Sequence, residues 1–315
     1  MKIKTLGNTG IEVTDLCFGV LPLGPVQRDI PKADALKLIR QGAEAGITFF
    51  DTAEMYRTHT YIEEALRGWQ KDVVIATKSG ASTYEDMAIS LEKARRELNR
   101  DVIDIFLIHA ARANHTVFED RAGAIECLLD AKAQGLIKAV GISTHAVDVC
   151  RMVADKPEFD IVFPIINKLG MGIIEGDLQG MLDAIELNRQ AGKGMYAMKA
   201  LAGGHLINDL EGAINYVREI PGFASLALGM VNEKELRVNL KIFRDEPLEA
   251  ADLPQEEANK RMIVLGNCIG CGKCATTCPN MAIEIINKKA VIDHNKCILC
   301  GYCRPVCPQF ALRLA

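Results

Sequence analysis

Two cysteine runs with the same spacing stand in the last part of this 315-residue chain. Each run reads C-x2-C-x2-C-x3-C-P, and together they hold eight of the eleven cysteines: Cys268, Cys271, Cys274 and Cys278, then Cys297, Cys300, Cys303 and Cys307. The opening residues lack the apolar core of a secretory leader, so we expect a cytoplasmic protein. Thiols clustered in a reducing compartment indicate metal binding rather than disulfides.

The spacing also indicates which metal site is present. Three thiolates on one tight loop can each reach one iron of a cubane cluster, and the fourth iron then needs a more distant ligand. Two zinc sites are the alternative, because tetrahedral thiolate cages also suit zinc. A zinc site needs only four ligands, however, and has no use for the regular third and fourth cysteine of each run.

From about Met262 to Ala315 the chain resembles a two-cluster bacterial ferredoxin. The resemblance implies that the fourth cysteine of each run binds the other cluster. One 4Fe-4S cluster is thereby assigned to Cys268, Cys271, Cys274 and Cys307, and the second to Cys297, Cys300, Cys303 and Cys278. Between the runs, apolar and polar residues alternate around Asn287 and Lys288, which predicts a β-hairpin.

Upstream of the cysteines, short apolar runs alternate with helical patterns at a regular interval. Eight runs qualify as strands, and the last seven end at Asp51, Lys78, His109, Ser143, Asn167, Lys199 and Gly229. Helix signals lie between them, such as Ser82 with Glu85 as a capping box. This pattern predicts an α/β chain with a closed (β/α)8 barrel and a small α+β domain. A doubly wound sheet is the alternative, and it is disfavoured because no G-x-G-x-x-G follows the first strand.

Composition and charge divide the chain and exclude some partners. We expect a barrel over residues 1–245, a linker over 246–261 and the cluster domain over 262–315. The linker is acidic and contains two prolines, although part of it could equally form a short surface helix. The net charge of -4 is too balanced to indicate a nucleic acid or a polybasic membrane contact. No apolar stretch approaches the roughly 18 residues of a membrane span.

Polar residues stand at the carboxyl ends of consecutive predicted strands, where barrels of this type keep their chemistry. Asp51, Lys78 and His109 end three of these strands, and Tyr56 follows Asp51 closely. A phenol has a pKa near 10, and a nearby ammonium lowers it. We expect Lys78 to supply that charge and Asp51 to hold Lys78. We expect His109 to orient a substrate oxygen beside the Tyr56 hydroxyl, which makes a site able to protonate a carbonyl oxygen.

The segments FDTAEMY, VVIATKS and IDIFLIHA resemble the three catalytic segments of the aldo-keto reductase family, and TLGNTGIEV resembles its N-terminal hairpin. The resemblance implies that Tyr56 is the general acid and base and that Asp51 and Lys78 tune it. It further implies that His109 positions a carbonyl or alcohol substrate, and that NAD(P)H supplies hydride. These are expectations for the structure to test.

We also expect a cofactor site at Ser143, Asn167, Lys199, Gly229, Met230 and Asn239, of which Ser143, Asn167 and Asn239 match the family pattern. Lys199 is an addition to the family pattern and could bind a cofactor phosphate or a substrate carboxylate, or simply pair with an acid at the barrel rim. The chain departs from the family at Phe163, Met198 and Glu235. A 2'-phosphate would meet Glu235 rather than a cation, which disfavours NADP.

Two functions follow from these features. The first is an iron-sulfur oxidoreductase that reduces a carbonyl or oxidises an alcohol, with electron transfer through two 4Fe-4S clusters. Nicotinamide moves two electrons and each cluster one, so exchange between them requires a flavin or a partner flavoprotein. The alternative is an electron-transfer component of a redox complex, in which the barrel is a docking or ligand-binding scaffold.

Overall fold

The computed structural model describes residues 1–111, 113–252, 261–304, 306–309 and 311–314, and a parallel barrel is its larger part. An antiparallel hairpin of β1 (Ile3–Thr5) and β2 (Glu12–Thr14) precedes it. Within the described residues the barrel contains eight strands: β3 (Leu16–Gly19), β4 (Phe49–Asp51), β5 (Val74–Ser79), β6 (Ile103–Ala110), β7 (Ile137–Thr144), β8 (Ile161–Pro164), β9 (Gly194–Met198) and β10 (Phe223–Gly229). Because β10 pairs with both β9 and β3, the barrel closes, which confirms the expected fold and excludes the doubly wound sheet.

Helices alternate with these strands along the chain. They are α1 (Lys32–Glu44), α2 (His59–Leu66), α3 (Tyr84–Leu98), α4 (Val117–Asp120), α5 (Ala122–Ala133), α6 (Val147–Val153), α7 (Leu178–Gln190), α8 (Leu210–Arg218) and α9 (Glu233–Phe243). Short 3-10 turns lie at Leu21–Leu23, Glu54–Tyr56, Ala202–Gly204 and Ile207–Asp209. Adjacent strand residues face opposite ways, so Phe49 belongs to the cluster inside the barrel and Phe50 to the cluster beneath the helices.

Two local expectations need correction. The cap of α3 is Thr83 rather than Ser82, because Thr83 has extended backbone and its Oγ1 accepts a hydrogen bond from Asp86 N at 3.1 Å. The strand expected to reach Asn167 ends at Pro164. Asn167 instead shapes the next turn, where its Oδ1 accepts the backbone N–H groups of residues 169 and 171.

A small domain follows the barrel. It consists of β11 (Met262–Val264), α10 (Lys273–Thr277), β12 (Ile283–Ile286), β13 (Lys289–Ile292) and β14 (Leu312–Leu314). Strands β12 and β13 form the expected hairpin, with Asn287 and Lys288 at positive φ in the turn. Strand β14 pairs with β11, so both ends of the described domain lie side by side.

The expected linker begins against the barrel. Asp252, in its first half, is buried and accepts a hydrogen bond from Lys241 Nζ on α9 at 2.7 Å. Residues 253–260 lie outside the described residues, so the possible surface helix and the domain boundaries stay predictions. Across the described ranges, no helix combines the length and apolar character needed to cross a membrane.

Candidate functional site

The carboxyl end of the barrel brings together the four residues expected to carry the chemistry. Asp51 is the last residue of β4, and Lys78 and His109 stand near the ends of β5 and β6. Tyr56 lies in the 3-10 turn that follows β4. Asp51, Tyr56 and Lys78 are buried, and His109 is partly buried.

A hydroxyl and carboxylate network fixes the turn that carries Tyr56. The Glu54 carboxylate accepts hydrogen bonds from Ser79 Oγ at 2.8 Å and from Ser90 Oγ at 2.9 Å. Ser79 ends β5 and Ser90 lies on α3, so the turn is tied to the strand of Lys78 and to the helix behind it. This connection limits the positions that the Tyr56 ring can take.

Lys78 and Asp51 form an ion pair at the bottom of the site. Lys78 Nζ donates to Asp51 Oδ1 at 2.7 Å, to Asp51 Oδ2 at 2.8 Å and to the carbonyl of Thr52 at 2.6 Å. Burial lowers the pKa of Lys78 and raises the pKa of Asp51, and the charge of each opposes the shift in the other. The geometry matches the expectation that Asp51 holds Lys78.

Tyr196 is a further partner of Asp51 that sequence reasoning missed. Its hydroxyl donates to Asp51 Oδ2 at 2.9 Å. Its ring stacks on Phe163, with centroids 3.8 Å apart, and meets the edge of Phe49. The tyrosine lies within an apolar strand pattern, which by itself predicts packing and gives no sign of the hydrogen bond across the barrel.

Tyr302 of the small domain lies beside His109 at the carboxyl end of the barrel. Its hydroxyl lies 3.1 Å from His109 Nε2 and interacts with the Tyr56 hydroxyl. The His109 ring stands edge-on to both tyrosine rings, with centroid distances of 5.8 Å to Tyr56 and 5.9 Å to Tyr302. Tyr56 and His109 therefore converge on one oxygen atom, and that oxygen belongs to this chain.

The protonation of Tyr56 differs from expectation. Burial, followed by Tyr302 and Asp51, raises the pKa of Tyr56 well above its usual value instead of lowering it. The physical reason is that Lys78 directs its N–H groups to Asp51 and Thr52 and stands 5.0 Å from the centre of the Tyr56 ring. Burial also holds the pKa of His109 well below its usual range, so its imidazole is neutral.

The loop that carries Tyr302 is bound to the barrel mouth at several points. Gln27 Nε2 donates to the carbonyl of Leu299 at 2.9 Å, and His205 Nε2 donates to the carbonyl of Cys297 at 2.7 Å. Ile298 is almost fully buried and belongs to the barrel core cluster. Gly203 lies directly beneath it, where a Cβ would overlap the carbonyl oxygen of Ile298.

The residues expected to hold nicotinamide make hydrogen bonds within the protein, and their role in cofactor binding stays a prediction. The Asn167 side chain donates to Met171 O at 2.8 Å and accepts from Met171 N, so its amide is used within its own loop. Ser143 Oγ is buried and lies 3.4 Å from Ile108 O. Met230 has no exposed surface.

In the eighth-strand part of the expected nucleotide site, the polar side chains bind the backbone. Glu235 Oε2 accepts the backbone N–H of Val231, and Asn232 Oδ1 accepts that of Glu235, so these side chains cap α9. A carboxylate therefore occupies the helix N-terminus, where a phosphate would otherwise bind. Gly229 packs against Pro22, and Asn239 is buried on α9.

The first cluster site has the expected donors. One pocket is lined by the four thiols assigned to it, Cys268, Cys271, Cys274 and Cys307. The sulfur of Cys268 accepts N–H groups from Ala290 and Gly270, each at 3.4 Å, and these bonds lower the pKa of Cys268. Backbone donors of this kind stabilise a thiolate, so the residues fit a thiolate-bound cluster.

The second cysteine group lies between the small domain and the barrel. Burial raises the pKa of Cys297 to about 11, and the charges of Cys300 and Cys278 act in the same direction. Cys303 responds to the same neighbours, which is consistent with crossed ligation. Among the described residues, no three metal-binding side chains gather closely enough for a single ion.

Lys199 faces the second cysteine group rather than an acid at the rim. It follows β9 with a left-handed backbone at φ 65°, and burial lowers its pKa while Cys300 and Cys297 oppose that shift. His145 lies near it and is also buried. Within the described part of the chain, His145 Nδ1 has no hydrogen-bond partner, and burial lowers the pKa of this histidine to about 3.

Comparisons with known proteins cover both parts of the chain. A model described as the aldo/keto reductase family matches residues 15–211, and one described as a 4Fe-4S dicluster domain matches residues 267–311. The L-galactose dehydrogenase of Arabidopsis thaliana is 26% identical over 218 residues, which are 65% of this chain and 67% of that relative.

Solved structures share the barrel. A putative aldo-keto reductase from Pseudomonas aeruginosa superposes with a TM-score of 0.66 at 25% identity, covering 77% of this chain and 94% of that one. The holo form of an aldo-keto reductase from Bacillus halodurans gives a TM-score of 0.67 at 19% identity, covering 80% and 94%. At 19% identity, the similarity to the Bacillus halodurans protein shows a shared fold alone.

Proposed function

Because the chain belongs to the aldo-keto reductase family, we propose that it is a cytoplasmic iron-sulfur oxidoreductase that reduces a small carbonyl compound or oxidises the matching alcohol. The observation that carries this proposal is the convergence of Tyr56 and His109 on the oxygen of Tyr302. A substrate oxygen in that position would meet the same two groups. The substrate class follows from this chemistry, since both groups recognise an oxygen atom.

Each residue has a defined part in the proposed reaction. Tyr56 moves a proton to the carbonyl oxygen in the reducing direction and takes it back in the other. Neutral His109 donates Nε2–H to the same oxygen and orients it. Asp51 keeps Lys78 in place 5.0 Å from the Tyr56 ring centre, where the positive charge offsets part of the cost of the phenolate left after proton transfer.

The thiol groups support two 4Fe-4S clusters, with Cys268, Cys271, Cys274 and Cys307 holding one and Cys297, Cys300, Cys303 and Cys278 the other. When bound, such clusters carry electrons one at a time. Carbonyl reduction consumes two electrons and two protons, so we expect a flavin or a partner flavoprotein where the supply is a hydride donor. Ser143 and Asn167 are the residues that would hold nicotinamide, and each makes a hydrogen bond within the barrel.

A variant of Tyr56 tests the proposal. Anaerobic turnover of benzaldehyde is measured with reduced methyl viologen, NADH or NADPH as electron source, and Tyr56→Phe is compared with Tyr216→Phe on the outer helix α8. We expect Tyr56→Phe to lower turnover roughly 100-fold or more and the control to leave it unchanged. Unchanged turnover in Tyr56→Phe would remove the reductase assignment.

One observation favours the alternative function, an electron-transfer component of a redox complex. The chain's own Tyr302 lies beside His109 in the proposed site. In addition, the side-chain amide of Asn167 donates its hydrogen bond within its own loop. A barrel used as a docking scaffold would need no substrate entry. This alternative predicts that the clusters accept and release electrons at full rate in Tyr56→Phe, and that wild-type protein reduces no carbonyl probe.

A further inference from the structure

The hydroxyl of Tyr302 holds the position in which the proposed function places a substrate oxygen. It lies 3.1 Å from His109 Nε2 and interacts with the Tyr56 hydroxyl, and these are the two groups that a carbonyl oxygen would contact. The residue is 8% exposed and belongs to the barrel core cluster. Two oxygen atoms cannot share this place, so a substrate must displace Tyr302.

Tyr302 is also part of the second cysteine run. It lies between Cys300 and Cys303, both assigned to the second cluster. A side chain in so short a segment cannot leave the barrel freely, because the cysteines on either side fix its backbone once they bind iron. Displacement of the Tyr302 phenol therefore requires the whole loop of residues 297–303 to move.

The same loop is held to the barrel by contacts of its own. Gln27 donates a hydrogen bond to the carbonyl of Leu299, and His205 donates one to the carbonyl of Cys297. The carbonyl oxygen of Ile298 packs against Gly203, where a Cβ would overlap it. Gly301 lies against the carbonyl of Val26, where a Cβ would also overlap. These contacts place the loop in a defined position in which the Tyr302 hydroxyl reaches the oxygen site.

We propose that Tyr302 is an access-determining residue of the barrel site: its hydroxyl occupies the oxygen position, and a carbonyl or alcohol ligand binds only by displacing it together with the second cluster loop. The inference rests on the proposed function in taking that position as the substrate oxygen site. A bound ligand then weakens the docking of residues 297–303 on the barrel. By linkage, docking of the loop weakens ligand binding by the same free energy.

Binding of benzyl alcohol tests this directly, measured anaerobically by isothermal titration on the cluster-loaded protein. Tyr302→Phe keeps the ring and removes the competing hydroxyl, so we expect roughly three- to tenfold tighter binding. Tyr302→Ala also opens space, and we expect a gain of about tenfold or more. Tyr216→Phe should bind as wild type does. Iron content and visible absorbance show whether each variant retains its clusters.

Hydrogen exchange gives a second readout that does not depend on turnover. Saturating benzyl alcohol should accelerate exchange of residues 297–303 in the wild type and leave the strands of the barrel unchanged. Equal affinity of wild type and both Tyr302 variants, including no binding to any of them, overturns the proposal. If Tyr56→Phe keeps full turnover while the Tyr302 variants bind more tightly, the proposed reaction fails and this inference stands.

Discussion

The Tyr196 hydroxyl donates to Asp51 Oδ2 at 2.9 Å, on the carboxylate that also pairs with Lys78. Burial raises the pKa of Asp51, and this hydrogen bond opposes the rise together with Lys78. Asp51 thus depends on two donors from different strands to remain ionised. The ring below the hydroxyl packs on Phe163, so the phenol can be changed without opening a cavity.

Tyr196→Phe should therefore lower stability by about 1.5–3 kcal/mol, the range for a hydrogen bond to a charged group. Without the Tyr196 donor, the pKa of Asp51 rises and Asp51 takes up its proton at a higher pH. Acidification should therefore abolish activity at a higher pH in Tyr196→Phe than in the wild type. Tyr84→Phe is the matched control, since Tyr84 donates to Asp130 at 2.9 Å on the exposed surface. Denaturant unfolding measures the change in stability, and a pH profile of activity measures the shift in the pKa of Asp51. If activity falls at the same acidic pH in Tyr196→Phe and in the wild type, the proposed role of Tyr196 is contradicted.

Gly203→Ala should loosen the small domain from the barrel. A Cβ there would overlap Ile298 O, and the backbone has φ 71°. Gly204→Ala is the control, because Gly204 also has positive φ, at 112°, but nothing within 4 Å of a Cβ. We expect exchange of residues 297–303 to rise roughly tenfold in Gly203→Ala only. Equal changes in the two variants would show that backbone strain, not the domain contact, is responsible.

Lys199→Met should lower the reduction potential of one cluster. A cation near a cluster stabilises the reduced, more negative form, and Lys199 lies beside Cys300 and Cys297. Lys289→Met provides the matched change at the other site, since Lys289 acts on Cys268. Potentiometric titration followed by electron paramagnetic resonance should show each variant shifting a different signal. A Lys199→Met variant that shifts neither signal, or both equally, would be inconsistent with this placement.

Acid should destabilise the protein through His145. Burial lowers its folded pKa to about 3, whereas an unfolded histidine titrates near 6.5. The unfolded chain therefore binds the additional proton as pH falls, so stability is complete above about pH 6.5 and declines toward pH 3, by about 2 kcal/mol at pH 5. The lowered pKa of His109 acts in the same direction. Between pH 7.5 and 5, unfolding midpoints should fall less steeply in His145→Gln than in the wild type, and the exposed His294→Gln should match the wild type.

The sequence predicted the strand ends better than the contacts between domains. Asp51, Lys78 and His109 were expected together because parallel strands of a barrel end at one rim, whatever the packing around them. The pattern could not place Tyr302, since its contact with His109 depends on how two domains dock. Glu235 could be suspected of opposing a phosphate, but only the structure shows it capping α9.

The proposed crossed assignment of the cysteines would set an order of events during synthesis. The ribosome delivers the barrel first, and domains generally fold as units in that order. Cys307, assigned to the first cluster, emerges after all the other assigned ligands, and strand β14 follows it to pair with β11. A newly made barrel therefore has an open mouth. Tyr302 can close that mouth only after residues 297–303 have been made and have docked on the barrel.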